Sequence, residues 1–195
     1  VMPAYCPQPE LTQAASDGEG FYCIGDAVRF IDPQRPAAGL LFDGRVSEDF
    51  KLSSATWVNT AAIRSRAMAA GAPLFQDVIV TGQDRESIGL LVALNEALAR
   101  ERFGFPKDVG LVEIAQSAPV RSFVAGVLAK LAAESTGTST RPTRALVLDK
   151  APSLALGEVT EKGSLSQRVM LATRSADVEA LYAEPRPASV VMPAG

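Results

Sequence analysis

The sequence predicts an α+β fold, on three observations. Two apolar runs, PLFQDVIVT (Pro73–Thr81) and SIGLLVAL (Ser87–Leu94), are joined by the turn Gly82-Gln83-Asp84, so they read as neighbouring strands. Between Ser117 and Ala133, the residues Val120, Phe123, Val124, Val127, Leu128 and Leu131 recur at helical spacing, which makes one helix face core. The charge balance also changes near residue 49. Residues 1–49 carry 3 Lys+Arg against 8 Asp+Glu, while residues 50–195 carry 16 against 14, as at a boundary between two parts.

At the start of the chain, Pro3, Pro7 and Pro9 disfavour helix, and Asp17-Gly18 and Glu19-Gly20 mark tight turns, so the segment reads as a turn-rich loop. Strand signals follow at Gly20–Ile24, Ala27–Ile31 and Leu40–Phe42. Three such strands make no complete domain, so their packing partners are expected upstream. A strand from Phe50 to Ser53, continuing to Trp57-Val58, precedes a helix capped by Asn59 or Thr60, running through Ala70 and ended by Gly71. Asn95–Arg102 is a short helix closed by Gly104 and Pro106. Ser117 is the expected N-cap of the next helix, with Pro119 in its first turn. STGTSTRPT (Ser135–Thr143) reads as a polar loop, RALVLD (Arg144–Asp149) as a buried strand, and Ser164–Tyr182 as one final amphipathic helix. The Pro/Ala-rich tail from Pro185 is expected to fray.

An apolar fraction of 47% with 21% charged residues is that of an ordinary globular chain, and 195 residues suffice to bury a core. A net charge of −3 argues against nucleic acid or an anionic membrane surface as the main partner. No stretch reads as a membrane span or as a basic-then-apolar leader. Cys6 and Cys23 fit no metal spacing and read as reduced thiols, so the expected location is the cytoplasm. The absence of His removes every His-based triad and every His-containing metal site. Chemistry is left to Lys, Arg, carboxylates, hydroxyls and backbone.

Four side chains stand out on those terms. Asp26 follows Gly25 between two strand signals, where a carboxylate can accept two hydrogen bonds from a vicinal diol or simply cap a turn. Arg45, in Asp43-Gly44-Arg45, offers a permanently charged fork to ribose or phosphate oxygens, or else an exposed ion pair with Glu48 or Asp49. Lys51 lies on the strand after that turn, as a functional cation or a solvated strand lysine. Lys162 sits in the polar segment GEVTEKGSLSQR, as a delivered charge or an ordinary loop lysine. Trp57 is expected in the core or at a domain interface.

The stretch Gly20–Val58, GFYCIGDAVRFIDPQRPAAGLLFDGRVSEDFKLSSATWV, resembles the junction between the large and small domains of the adenylate-forming acyl-CoA ligases. Its DGRVSEDFKLS-x-x-TWV wording is most similar to the feruloyl-CoA synthetase-type aromatic acid:CoA ligases. The resemblance implies that residues 1–43 end a large domain, 44–49 form a hinge and 50–195 form a small mobile domain with a largely antiparallel sheet flanked by helices. The chain would then be a C-terminal piece that packs against the rest of the large domain and does not turn over alone. The implied substrates are ATP, CoA and a hydroxycinnamate-type aromatic acid, with Mg2+ bound by residues outside this segment. Asp26 would bind the ribose hydroxyls and Arg45 the nucleotide. Lys162 would serve acyl-adenylate formation, and Lys51 would serve thioester formation after rotation about Ser47, shared with Glu48. Ser54 and Ala55 would line the CoA path. Two departures stand against the family pattern. Ser47 replaces the usual Asp or Lys pivot, and Ser53-Ser54-Ala55 lacks the Gly that usually follows the strand lysine. Rival readings are a non-catalytic interaction domain and an adenylating enzyme with an acceptor other than CoA. STGTST resembles a phosphate loop but lacks a following Pro-Lys-Gly, so it is read as a linker.

Overall fold

The computed structural model describes residues 9–195, so the turn-rich reading of residues 1–8, Cys6 included, lies outside the described residues. The chain divides into two compact units between Ser47 and Glu48.

The first unit begins with a short helix, α1 (Pro9–Ala14), where the sequence predicted a turn-rich loop. Pro9 at its first position needs no N–H, which is why it is tolerated there. Gly20–Ile24 forms no strand. Its only ladder contact among the described residues is an isolated bridge between Ser16 and Tyr22, beside an Asp17 turn whose carboxylate accepts from the Glu19 and Phe21 amides. The remaining pair is real: β1 (Asp26–Phe30) and β2 (Leu40–Arg45) form an antiparallel two-stranded sheet.

The second unit opens with β3 (Phe50–Lys51) and β4 (Trp57–Val58), which pair antiparallel. The expected single strand is therefore a hairpin, because the chain reverses through Leu52–Thr56 with Ala55 at φ 60° and the Leu52 amide donating to the Thr56 carbonyl. Next comes α2 (Thr60–Gly71), whose N-cap Asn59 accepts from the Ala62 amide as its sequence predicts. A four-stranded sheet follows in the order β5 (Phe75–Thr81), β6 (Ile88–Leu94), β7 (Pro142–Val147), β8 (Val190–Val191). The β5–β6 and β7–β8 pairs are antiparallel and β6–β7 is parallel, so the sheet is largely antiparallel. Between β6 and β7 run α3 (Glu96–Phe103), closed by Gly104 in the left-handed region, α4 (Leu111–Gln116), and α5 (Ala118–Ala133). Ser117 starts α5 without a side-chain cap bond, since its hydroxyl donates back to the Ile114 carbonyl.

After β7 the chain forms α6 (Gln167–Thr173) and α7 (Ser175–Tyr182), two helices where one was predicted, broken at Arg174. The tail does not fray at Val190–Val191: both side chains are buried and pair with β7. One core cluster joins α2, α4 and α5 to one face of the sheet through Val78, Val80, Leu90, Val92, Val124 and Leu128. A second joins α6 and α7 to the other face through Ile79, Leu91, Leu146, Met170 and Leu181. The strands are covered on both sides, which is why they read as continuous apolar runs.

Candidate functional site

In the first unit, the Asp-Gly-Arg turn of the sequence is a bulge. Asp26 pairs with Arg45 and Val28 with Phe42, so β2 spends one extra residue over this stretch. Gly44 absorbs it at φ 100°, a backbone conformation that L side chains rarely adopt. The bulge sets Arg45 directly opposite Asp26, and the Arg45 Nε lies 3.8 Å from Asp26 Oδ1. The ion pair weighed as the alternative for Arg45, with Glu48 or Asp49, is made with Asp26 instead. Both groups remain reachable, with side chains 32% (Asp26) and 65% (Arg45) exposed, so the pair adds little stability.

The chain between the units is pinned on either side of Ser47. The Val46 amide donates to the Gly25 carbonyl within the first unit. Within the second, Thr60 Oγ1 donates to the Glu48 carbonyl, and the Thr60 amide donates to Asp49 Oδ1. Ser47 is exposed and stands between these anchors.

Lys51, Ser54 and Ala55 all lie on the β3–β4 hairpin and are exposed. The hairpin is fastened to the turn joining β5 and β6: the Asp84 amide donates to the Lys51 carbonyl, and the Ser53 amide to the Arg85 carbonyl. Trp57 is 62% exposed, and the core does not take it. The Lys51 ammonium lies 5.0 Å from the centre of its ring, a cation–π contact.

Lys162 is exposed at the tip of a second, separate hairpin. Val159 bridges Leu165, the Thr160 amide donates to the Ser164 carbonyl at 2.8 Å, and the Gly163 amide to the Thr160 carbonyl at 2.8 Å. Gly163 at φ 83° is the left-handed residue that closes such a three-residue loop, which explains why Gly follows Lys162. Below the tip lies a buried cluster that the sequence reading missed. The Glu158 carboxylate has 0% exposure and is paired with Arg174. That ion pair, opposed by burial, holds Glu158 at about 2 against an ordinary 4.5. No short-range signal marks Glu158, because its partner lies 16 residues away. An open cavity of about 230 Å³ between Gln76, Asn95, Glu96, Lys150 and Pro152 contains none of the predicted site residues.

Among the described residues, no group of three or more His, Cys, Asp or Glu is placed to hold a metal ion. No helix among them is long and apolar enough to cross a membrane.

No protein-family model matches the chain. The carboxylic acid reductase of Segniliparus rugosus is 25% identical over 185 residues, 94% of this chain and 14% of the reductase. The probable acyl-activating enzyme 16, chloroplastic, of Arabidopsis thaliana is 30% identical over 106 residues, 51% of this chain and 14% of that protein. Among solved structures, the A domain of the Segniliparus rugosus reductase, in complex with AMP and a co-purified carboxylic acid, is similar with a TM-score of 0.73. It is 22% identical, and the match covers 95% of this chain and 27% of that one. The fold is that of the C-terminal part of an adenylation domain. The chain spans 14% of the length of each of these curated relatives.

Proposed function

We propose that this chain is the C-terminal portion of an ATP-dependent enzyme that activates a carboxylic acid as its acyl adenylate and passes the acyl group to the thiol of CoA. The observation that carries the reading is the bulge at Gly44. It sets a carboxylate and a guanidinium opposite each other, both exposed, on a fold shared with an adenylation domain solved with AMP. Asp26 accepts hydrogen bonds from the ribose hydroxyls, and Arg45 donates to nucleotide oxygens. In the first half-reaction a carboxylate oxygen attacks the α-phosphorus of ATP, the bond to the bridging oxygen breaks, and pyrophosphate leaves. Lys162 offsets the negative charge gathering between carboxylate and phosphate. In the second, the CoA sulfur attacks the acyl carbon, the bond to AMP breaks, and the thiol proton passes to solvent. Rotation at Ser47 and Glu48 brings the Lys51 hairpin, with Ser54 and Ala55, to that step. The substrate favoured by the DGRVSEDFKLS-x-x-TWV resemblance is an aromatic acid of the hydroxycinnamate type.

A second reading keeps the first half-reaction and changes the acceptor. Two observations favour it: the likeness to a carboxylic acid reductase, and the segment Ser53-Ser54-Ala55, with Ala55 in the left-handed region and no Gly where the family usually has one shortly after the strand lysine. Titration calorimetry on the full-length protein separates the readings. AMP binding that is lost in Asp26→Asn, together with CoA binding, supports the ligase. AMP binding without CoA binding supports the second acceptor, and no AMP binding sinks both.

A further inference from the structure

Five buried polar or charged side chains occur among the described residues: Thr60, Asp77, Thr81, Glu158 and Gln167. Three of them hold the ends of the Lys162 hairpin. Asp77 Oδ2 accepts from the Leu165 amide at 3.2 Å. The Gln167 side chain accepts from the Val80 amide at 3.2 Å and donates to the Val80 carbonyl at 2.5 Å, in place of a neighbouring strand on β5. Glu158 binds most widely. Its Oε1 accepts from Arg174 Nε at 2.7 Å and Thr173 Oγ1 at 2.6 Å, and its Oε2 from Arg174 Nη2 at 2.9 Å and the Ser153 amide at 2.7 Å. Its carbonyl accepts from the Ser166 amide, and Arg174 also donates to the Ala151 carbonyl.

Buried polar groups are costly unless every bond is met, so their concentration beneath one exposed loop marks a geometry that is being held. The Glu158 carboxylate ties the chain entering the hairpin at Ser153 to the α6–α7 break at Thr173 and Arg174, and its backbone carbonyl holds the chain leaving the hairpin at Ser166. Residues 160–164 are exposed beyond these ties, while Val159 and Leu165 at the hairpin's base pack on the core. We propose that Glu158 is a positioning residue: with Arg174 and Thr173 it clamps the base of the hairpin so that its tip presents Lys162 in one place. This rests on the adenylating role given to Lys162 above. The benefit is preorganisation, since a cation misplaced by about 1 Å can forfeit as much as 10²-fold in rate.

The test uses the full-length protein with Glu158→Gln and, because that change takes the ion partner from the part-buried Arg174 and threatens the fold, also Thr173→Val. Amide hydrogen exchange reads the loop directly. Faster exchange at Thr160 and Gly163, with β5 and β6 amides unchanged, is the expected result. The adenylation rate then falls about 10-fold or more with KM for acid and ATP unchanged, and costs nothing further in a Lys162→Ala background. Unchanged loop exchange in a folded variant overturns the clamp, and where Glu158→Gln melts the sheet, Thr173→Val decides by the same criterion. A rate loss that adds in full to that of Lys162→Ala overturns action through Lys162. If Lys162→Ala alone leaves adenylation intact, the functional reading fails and this role with it. Loop exchange that still responds to Glu158→Gln would locate that failure in the chemistry rather than in the clamp.

Discussion

In residues 48–195, helices cover both faces of a four-stranded sheet, and every large buried hydrophobic residue of the described chain lies there. In residues 9–47 the only sheet is the β1–β2 pair, and Phe21, Val28, Phe30, Ile31, Leu41 and Phe42 are all exposed. A lone two-stranded sheet is marginal in water. The two regions therefore hold their candidate site residues by different means. Asp26 and Arg45 meet through backbone register alone, set by one glycine bulge. Lys162 stands on a buried polar scaffold that belongs to a packed core. Under the proposed function, the pair assigned to ligand contact rests on local geometry, whereas the cation assigned to the reaction is supported from below.

The largest effect that would break this contrast is a stability measurement on the chain itself. Leu91 is fully buried, so Leu91→Ala should cost about 2–5 kcal/mol in denaturant unfolding. Phe42, at 63% exposed, should cost about 0.5 kcal/mol or less on the same change. Comparable losses at the two positions would mean that the first region owns a core of its own.

Function sharpens the same contrast. Lys162→Ala in the full-length protein should lower adenylate formation by roughly 10²–10³, or about 3–4 kcal/mol, because a preorganised cation is lost from a charge-gathering transition state. Thioester formation from supplied acyl-AMP should change far less. Lys162→Arg should rescue poorly, since a planar fork does not replace a point charge between carboxylate and phosphate. Equal losses in both half-reactions, measured by pyrophosphate release and by AMP release, would point to a folding defect.

Local signals carried much of this architecture. The apolar runs of β5 and β6, the Asn59 cap and the Gly104 stop were readable because each is decided within a few residues. Where distant partners decide, reading failed. Val190–Val191 looks like tail until β7 pairs with it, and α6 and α7 look like one helix although the chain breaks at Arg174, which pairs with Glu158. Trp57 read as core or domain interface, and the core half fails because the chain reverses at Leu52–Thr56 and leaves the ring exposed. At the site, Gly44 and Arg45 were visible as a motif, yet the register that places Arg45 against Asp26 was not. Glu158 had no signature at all, because a buried carboxylate in a polar segment looks like any solvated one.

Backbone strain separates the regions once more, on a smaller scale. In the first, the left-handed positions belong to glycine, at Gly20, Gly25, Gly39 and Gly44. In the second, Ala55 at φ 60° and Asp84 at φ 58° are not glycine. Aspartate tolerates this region through local hydrogen bonding, whereas alanine has no such compensation and costs roughly 1–2 kcal/mol. Ala55→Gly relieves that strain but loosens the unfolded chain by about 0.4–1 kcal/mol, leaving a net stabilisation of about 0–1.6 kcal/mol. Asp84→Gly carries the glycine term without the strain relief and should destabilise by about 0.4–1 kcal/mol, so the difference between the two melting shifts isolates the strain term. The same variant tests the hairpin's function. If the Ala55 methyl group narrows the acceptor path, the full-length Ala55→Gly enzyme should form thioester faster while adenylation is unchanged. A stabilised protein with neither half-reaction altered would leave Ala55 as strain without a role in the acceptor step.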